Sequence, residues 1–456
     1  MENRKTIGLF SAICICVGLI VASSCLLSLG QGMGLAGKWF VLSIVMVSVL
    51  NMTLALSFGE LNALMPDMEG GLGQFTKVGL GPVLSIISNI SAYVIVSFLA
   101  GSVEIAMCAM ILNEVFFPAI PVPVIGAAVV LILAAVNYLG INIFSRVQNF
   151  VVAALVLSLV ALGVISFFKL GTGELVDKTL EAPPALGGFS GALSLTALAF
   201  WLFIGVEFII PLSKNLIRPK RNVLLAMSLS ILLLCVIQSV LGTGMTNYVT
   251  CAELASAELP HMVFANKVLG EAGSLWMGII TILAAISTAN TLFGTVPAMM
   301  CGMAKNDMLP AIFAKKNRFH VNVAGIALIG GGFLVMVTTG LTQSAGLINM
   351  LLAASCFWLT SYILVSITVL VLRRRYPDLP ARDKRLTLGG VPQYLCIAGD
   401  LYMIWHIAEG DDRILIYKIF AVLLVVLTAF ACFWVKGIKK QALFRPADIH
   451  EVMAQE

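Results

Sequence analysis

The chain alternates long apolar runs with short polar interruptions from one end to the other. A helix needs about 20 mainly apolar residues to cross about 30 Å of hydrocarbon. Twelve segments are long enough, at 7–29, 40–61, 82–112, 122–139, 148–169, 189–212, 223–246, 273–301, 322–340, 345–372, 391–408 and 414–435. The pattern predicts an all-α membrane protein of twelve transmembrane helices, a single polytopic domain over 1–456. The longest pieces between spans are 170–188, 247–272 and 373–390, followed by a polar tail from Lys436. Pro183-Pro184 and Gly187-Gly188 mark the first as a loop. Leu, Val and Phe interleaved with Glu253, Glu258 and Lys267 predict a short surface helix within 253–270.

Composition agrees with that pattern. Hydrophobic residues make up 60% of the chain and charged ones 11%, with a mean hydropathy of +1.01, where a soluble domain carries about 25% charged residues. With the N-terminus inside, 22 of the 28 Lys and Arg fall on the cytoplasmic side, the asymmetry of a protein that keeps its basic loops inside. Both termini are then cytoplasmic, in the cytoplasmic (inner) membrane. The net charge of +5 reflects this bias, so no nucleic acid is expected as a partner. The first span reaches Leu29 with no small-residue cleavage site in a polar flank, and reads as a span rather than a cleaved signal.

Nine of the ten cysteines lie in predicted spans and Cys251 stands alone in an external loop, so no disulfide framework is expected. No CxxC or His-rich pattern points to a metal or other cofactor. A membrane-embedded enzyme would need a nucleophile with a base, or a metal cluster; His261, His320, His406 and His450 are scattered and form no such group.

The candidate chemistry sits where polar residues interrupt apolar spans. The first span carries Ala22-Ser23-Ser24-Cys25 at mid-depth, and the sixth carries Ile204-Gly205 followed by Glu207. Five spans separate them, so the second set of helices would be inverted relative to the first, and paired interruptions in inverted halves point to a transporter's central site. Unwound backbone is tolerated in a membrane only where it lines a cavity or is buried in protein. A carboxylate in a span costs roughly 2.5–3.5 kcal/mol on the mildest insertion scale, which makes Glu207 a functional candidate. Glu104 is the second. Ser97, Gly101, Glu104 and Cys108 recur at helical spacing and form one small, polar stripe that should face the bundle interior. Glu60, at the cytoplasmic end of the second span, can meet water or a loop lysine and reads as structural, and Asp400 in the eleventh span reads as an interhelical hydrogen-bond partner.

Several motifs carry a resemblance. Ala55-Leu56-Ser57-Phe58-Gly59-Glu60-Leu61 is followed by Pro66, Gly70-Gly71 and Gly81-Pro82; Asn137-Tyr138-Leu139-Gly140 by Arg146-Val147-Gln148-Asn149. Ile204 to Glu207 leads into Arg218-Pro219-Lys220-Arg221-Asn222, and Ile286-Ser287-Thr288 into Met303-Ala304-Lys305-Asn306-Asp307-Met308-Leu309-Pro310. Arg373-Arg374-Arg375-Tyr376-Pro377-Asp378-Leu379-Pro380 ends the tenth span. Together they resemble the amino acid–polyamine–organocation (APC) superfamily, including bacterial amino acid permeases and arginine/agmatine antiporters. The resemblance implies a LeuT-type 5+5 inverted repeat, with repeats at 1–170 and 189–372, two extra helices at 391–435 and a cytoplasmic tail at 436–456.

The resemblance also implies site residues. The family usually has Gly-Ser-Gly at the break of the first span, whose N–H groups bind a substrate carboxylate; here Ala22, Ser23 and Ser24 stand there, without either glycine. Trp201, Ile204 and Gly205 match positions that gate and contact substrate, and an indole can cover an ammonium by a cation–π contact. Glu104 falls where the arginine/agmatine antiporters have an asparagine lining the pocket, and an acid there favours a cationic substrate. Glu207 is the expected coupling or gating residue, by sensing proton or substrate occupancy or by locking helices together. A span-5 lysine that fills a sodium site in some relatives maps to Leu155, so sodium could bind between span-1 carbonyls and the hydroxyls of Ser287 and Thr288.

The expectation is a secondary active transporter of amino acids or cationic amines and polyamines, working by alternating access as an exchanger or with protons. The alternatives are a sodium-coupled amino acid symporter and a non-transporting sensor or partner-dependent subunit. The expected partners are the small-molecule substrate, the lipid bilayer and protons, with the chain a monomer or homodimer.

Overall fold

A computed structural model describes residues 7–454 apart from 67, 69, 140–143, 342–345 and 378–387, with the side chains of 144–150, 214, 215 and 454 also outside the description. Of the sequence motifs, Gly140, Asp378, Leu379, Pro380 and the side chains of 146–149 therefore lie outside the described residues, as do the basic residues Arg4, Lys5, Arg382, Lys384 and Arg385.

Every regular element among the described residues is helical, apart from one isolated bridge between Ile7 and Leu216. It begins with α1 (Leu9–Ile20) and α2 (Ser23–Ala36), which meet at an angle of 63°. Then come α3 (Trp39–Leu64), the short α4 (Leu72–Leu80), α5 (Pro82–Val115), α6 (Val122–Tyr138) and α7 (Phe144–Phe167). The broken sixth segment starts with α8 (Thr196–Phe200). It is followed by α9 (Pro219–Tyr248), α10 (Pro260–Lys305), α11 (Val323–Thr338), α12 (Leu347–Arg375), α13 (Val391–Trp405) and α14 (Gly410–Ile438). Seven of the described helices are long and apolar enough to cross a membrane, or eight with the bent pair counted as one span, and three shorter apolar helices accompany them. This is a multi-pass membrane protein. The surface helix expected in 253–270 is in two parts, Cys251–Ser256 and the first turns of α10, which bends at Gly270 (φ 64°) before entering its apolar run.

Both predicted breaks are present. In the first span the helix ends at Ile20; Val21 (φ −74°, ψ 72°) makes a tight turn closed by Ala22 N–H donating to Ile20 O, Ala22 (ψ 162°) is extended, and Ser23 opens the second half. In the sixth, α8 tightens into a 3₁₀ turn over Trp201–Phe203, Ile204 is extended, and Gly205 sits at φ 109° before a second 3₁₀ stretch, Val206–Asn215. Pro211 inside that stretch removes a backbone donor and so interrupts the hydrogen-bond ladder of a regular α-helix there. A third irregularity lies opposite them: α5 passes through π turns at Ile90–Ile95 and Ser97–Gly101, one turn before Glu104. Such turns in an α-helix occur often at functional sites.

At one end of the bundle the helices are tied by an ion pair and by the tail. Glu60 meets neither a lysine nor open water as its main partner; the guanidinium of Arg373 at the end of α12 forks onto it, with Nη2 2.6 Å from Oε2 and Nε 3.0 Å from Oε1. Both side chains are largely buried. Arg373→Ala leaves the carboxylate without its fork, and should destabilise the protein by about 1–3 kcal/mol, read as a lower thermal midpoint in detergent, with Arg373→Lys recovering part of the loss. The tail folds back beneath α4 and α5. Val83 N–H donates to Leu443 O, Ala447 N–H to Lys77 O, and Arg375 Nη1 to both Val78 O and Ala447 O. Ile449 and Val452 are buried there.

Candidate functional site

The two breaks face each other across a small cavity, and α5, α10 and α12 complete its wall. The lining comprises Leu19, Ile20, Ala22, Ser24 and Cys25 of the first span, Val96, Ala100, Gly101 and Glu104 of α5, Trp201 and Ile204 of the sixth segment, Thr288 and Leu292 of α10, and Trp358 of α12. Its volume is about 40 Å³, room for roughly three waters. A second space of about 20 Å³ on the far side of Cys25 is lined by aliphatic side chains and Gln238 and offers little chemistry.

Because the helix restarts at Ser23, its first N–H groups have no partner within α2. The Glu104 side chain, 2% exposed, takes them. Its Oε2 accepts from Ser23 N–H at 3.0 Å and from Ser23 Oγ at 2.5 Å, and its Oε1 accepts from Ser24 N–H at 3.0 Å. A negative group at the N-terminus of a helix is favoured both by these donors and by the helix dipole. Two backbone N–H groups can only donate, so the arrangement suits a carboxylate acceptor on both oxygens.

Trp201 joins the two breaks. Its indole N–H donates to Ser24 Oγ at 2.7 Å, and its ring stands edge-on to Trp358 with centroids 6.1 Å apart. Trp201→Phe keeps one aromatic ring but loses the pyrrole half of the indole and its neutral hydrogen bond, the latter worth about 1 kcal/mol. The expected result is a roughly fivefold or greater loss of apparent affinity for a ligand of this cavity, together with a lower thermal midpoint from the space the smaller ring leaves, both read by ligand-dependent thermal shift.

Glu207 is fully buried and away from the cavity. Its Oε1 accepts from Trp358 Nε1 and its Oε2 from Tyr362 O–H, each at 2.7 Å, so the half-segment after Gly205 is bolted to α12. Trp358 thus touches the cavity on one side and Glu207 on the other.

Of the predicted site residues, Ala22, Ser24, Glu104, Trp201 and Ile204 line the cavity; Ser23 reaches it through Glu104, and Gly205 shapes the break behind Ile204. The rest of the α5 stripe divides. Gly101 lines the cavity, while Ser97 donates to the carbonyl of Tyr93 on its own helix. Trp358 and Tyr362 were not foreseen; a tryptophan and a tyrosine four apart on one face of an apolar helix are the signal that marks them as donors for a buried acid. Thr288, expected only as a sodium ligand, lines the cavity, and its buried hydroxyl has no hydrogen-bond partner among the described residues. Asp400 accepts from Cys396, four residues earlier on its own helix, rather than from the neighbouring helix expected for it.

The chain matches the family model described as amino acid permease over residues 7–444. It belongs to that family, within the APC superfamily. The family is one of permeases and not of enzymes. Among curated proteins the chain is similar to the branched-chain amino acid permease BcaP of Bacillus subtilis, 23% identical over 414 residues, covering 85% of this chain and 84% of that one. It is also similar to the putrescine transporter PotE of Escherichia coli, 23% identical over 394 residues, covering 84% of this chain and 86% of PotE. Among solved structures, the Eremococcus coleocola manganese transporter superposes with a TM-score of 0.64 at 13% identity, over 96% of this chain and 99% of that one. At that identity the likeness concerns the fold alone.

Proposed function

We propose that this permease is a secondary active transporter of amino acids or amines that works by alternating access, as an exchanger or coupled to protons. One observation carries the reading: a small cavity lies between two broken spans, with Trp201 hydrogen-bonded across them. Breaks of this kind expose backbone groups to a ligand at mid-membrane and provide the hinge for opening to either side. The family match and the likeness to BcaP and PotE, whose names describe an amino acid and a diamine as cargo, support the class of substrate. On this reading the chain crosses the cytoplasmic membrane twelve times with both ends inside, and the first five and second five spans form the inverted pair.

Counterflow in proteoliposomes tests it. Vesicles preloaded with unlabelled amines and amino acids should accumulate the labelled compound transiently, and empty vesicles should not; absence of counterflow across the panel overturns the reading. A sodium-coupled version has one observation in its favour, the unpartnered Thr288 hydroxyl at the break of the first span. Replacing sodium by potassium on both sides separates the two, because an exchanger or proton-coupled carrier keeps its flux.

A further inference from the structure

The N-terminus of α2 is the one place in the cavity built to hold an anion, and it is already full. Both of its cavity-side N–H groups, on Ser23 and Ser24, are taken by the carboxylate of Glu104, which reaches across from α5. In transporters with broken helices, such a half-helix N-terminus points at the anionic group of the substrate. We propose that Glu104 occupies that seat permanently and that the cargo is therefore a short amine with no carboxylate, the decarboxylated counterpart of a small amino acid. This deepens the transporter reading above and rests on it.

Three features of the cavity fit a cation and reject a zwitterion. Glu104 is a buried negative group at its wall, and attracts an ammonium while repelling an arriving carboxylate. Thr288, 8% exposed as a residue, lines the same space, and its buried hydroxyl, which has no hydrogen-bond partner among the described residues, can turn to accept from an ammonium N–H. Trp201 and Trp358 supply aromatic surface around it, which suits an alkylammonium. Size narrows the class. A space of about 40 Å³ takes on the order of three or four heavy atoms, so ethylamine fits where a long polyamine does not.

The test compares matched pairs that differ only in the carboxylate: ethylamine against alanine, and propylamine against 2-aminobutyrate. Purified wild-type protein should show a concentration-dependent rise in thermal midpoint with the amine of a pair, and at least a tenfold weaker response to the amino acid. Glu104→Gln should weaken ethylamine binding at least tenfold. Glu104→Ala frees the N–H groups of Ser23 and Ser24, and should lose ethylamine and gain a response to alanine, a reversal that damage to packing alone would not produce. An amino acid that binds the wild type as well as its paired amine overturns the proposal, as does ethylamine affinity unchanged in Glu104→Gln. If either variant fails to fold, the wild-type pairs alone decide. Counterflow with amino acids but not with amines would leave the transporter reading standing and remove this one; no counterflow with either class removes both.

Discussion

A valine at Gly205 is expected to reduce counterflow by more than tenfold in protein that still elutes as a single folded species. Gly205 holds φ 109° and ψ 4°, and it is the residue that lets the chain leave the 3₁₀ turn at Trp201–Phe203 and restart at Val206. A non-glycine residue in such a conformation stores about 1–3 kcal/mol of strain, and a β-branched one is worst placed to accept it. A Cβ there would also lie 2.8 Å from Cδ2 of Leu19, a cavity-lining side chain. Leu19 can swing its methyl aside, but φ cannot relax without rotating Ile204 and Trp201 out of the cavity wall. Gly205→Ala, with a smaller side chain at the same dihedral, should fall between wild type and valine. Full activity in Gly205→Val would mean that the break does not shape the transport site.

Glu207→Leu should have the largest effect on stability of any single change in this region. Leucine roughly fills the volume, but it leaves the indole N–H of Trp358 and the hydroxyl of Tyr362 buried without an acceptor. At about 1–3 kcal/mol for each unsatisfied group, the combined loss is about 2–6 kcal/mol, visible as a sharply lower thermal midpoint or as failure to reach the membrane. Glu207→Gln retains one carbonyl for the indole and can donate to the phenol oxygen, so it should cost about 1 kcal/mol or less. The same glutamine variant tests the coupling role: transport with an unchanged pH dependence would leave Glu207 as a bolt between the sixth segment and α12, and no more.

The spans were legible because a membrane leaves apolar length as the dominant constraint, and α6, expected at 122–139 and found at Val122–Tyr138, illustrates how closely that constraint sets the ends. Both breaks were legible as well, each for a local reason. Gly205 announces a conformation that other residues avoid, and the small polar run after Ala22 offers poor apolar packing. What could not be read is which distant groups satisfy the exposed donors. Glu104 lies 81 residues from Ser23, and Trp358 lies 151 from Glu207. Helical spacing says which face an acid occupies but not which helix end it meets. Glu60 makes the same point at the end of α3, where a family motif and a basic cluster were both visible and their pairing was not.

The folded-back tail has a mechanical consequence. Residues 443–447 hold the edge of α4 and α5 by two backbone hydrogen bonds, while Arg375 of α12 grips both α4 and the tail. Any rocking motion that parts α4 from the foot of α12 must break some of these bonds or drag the tail with it. At about 1 kcal/mol for each bond, releasing two or three of them shifts an equilibrium by roughly one to two powers of ten. Residues 443–447 thus act as a hasp across the feet of α4, α5 and α12, and a tag attached beyond them would load it directly.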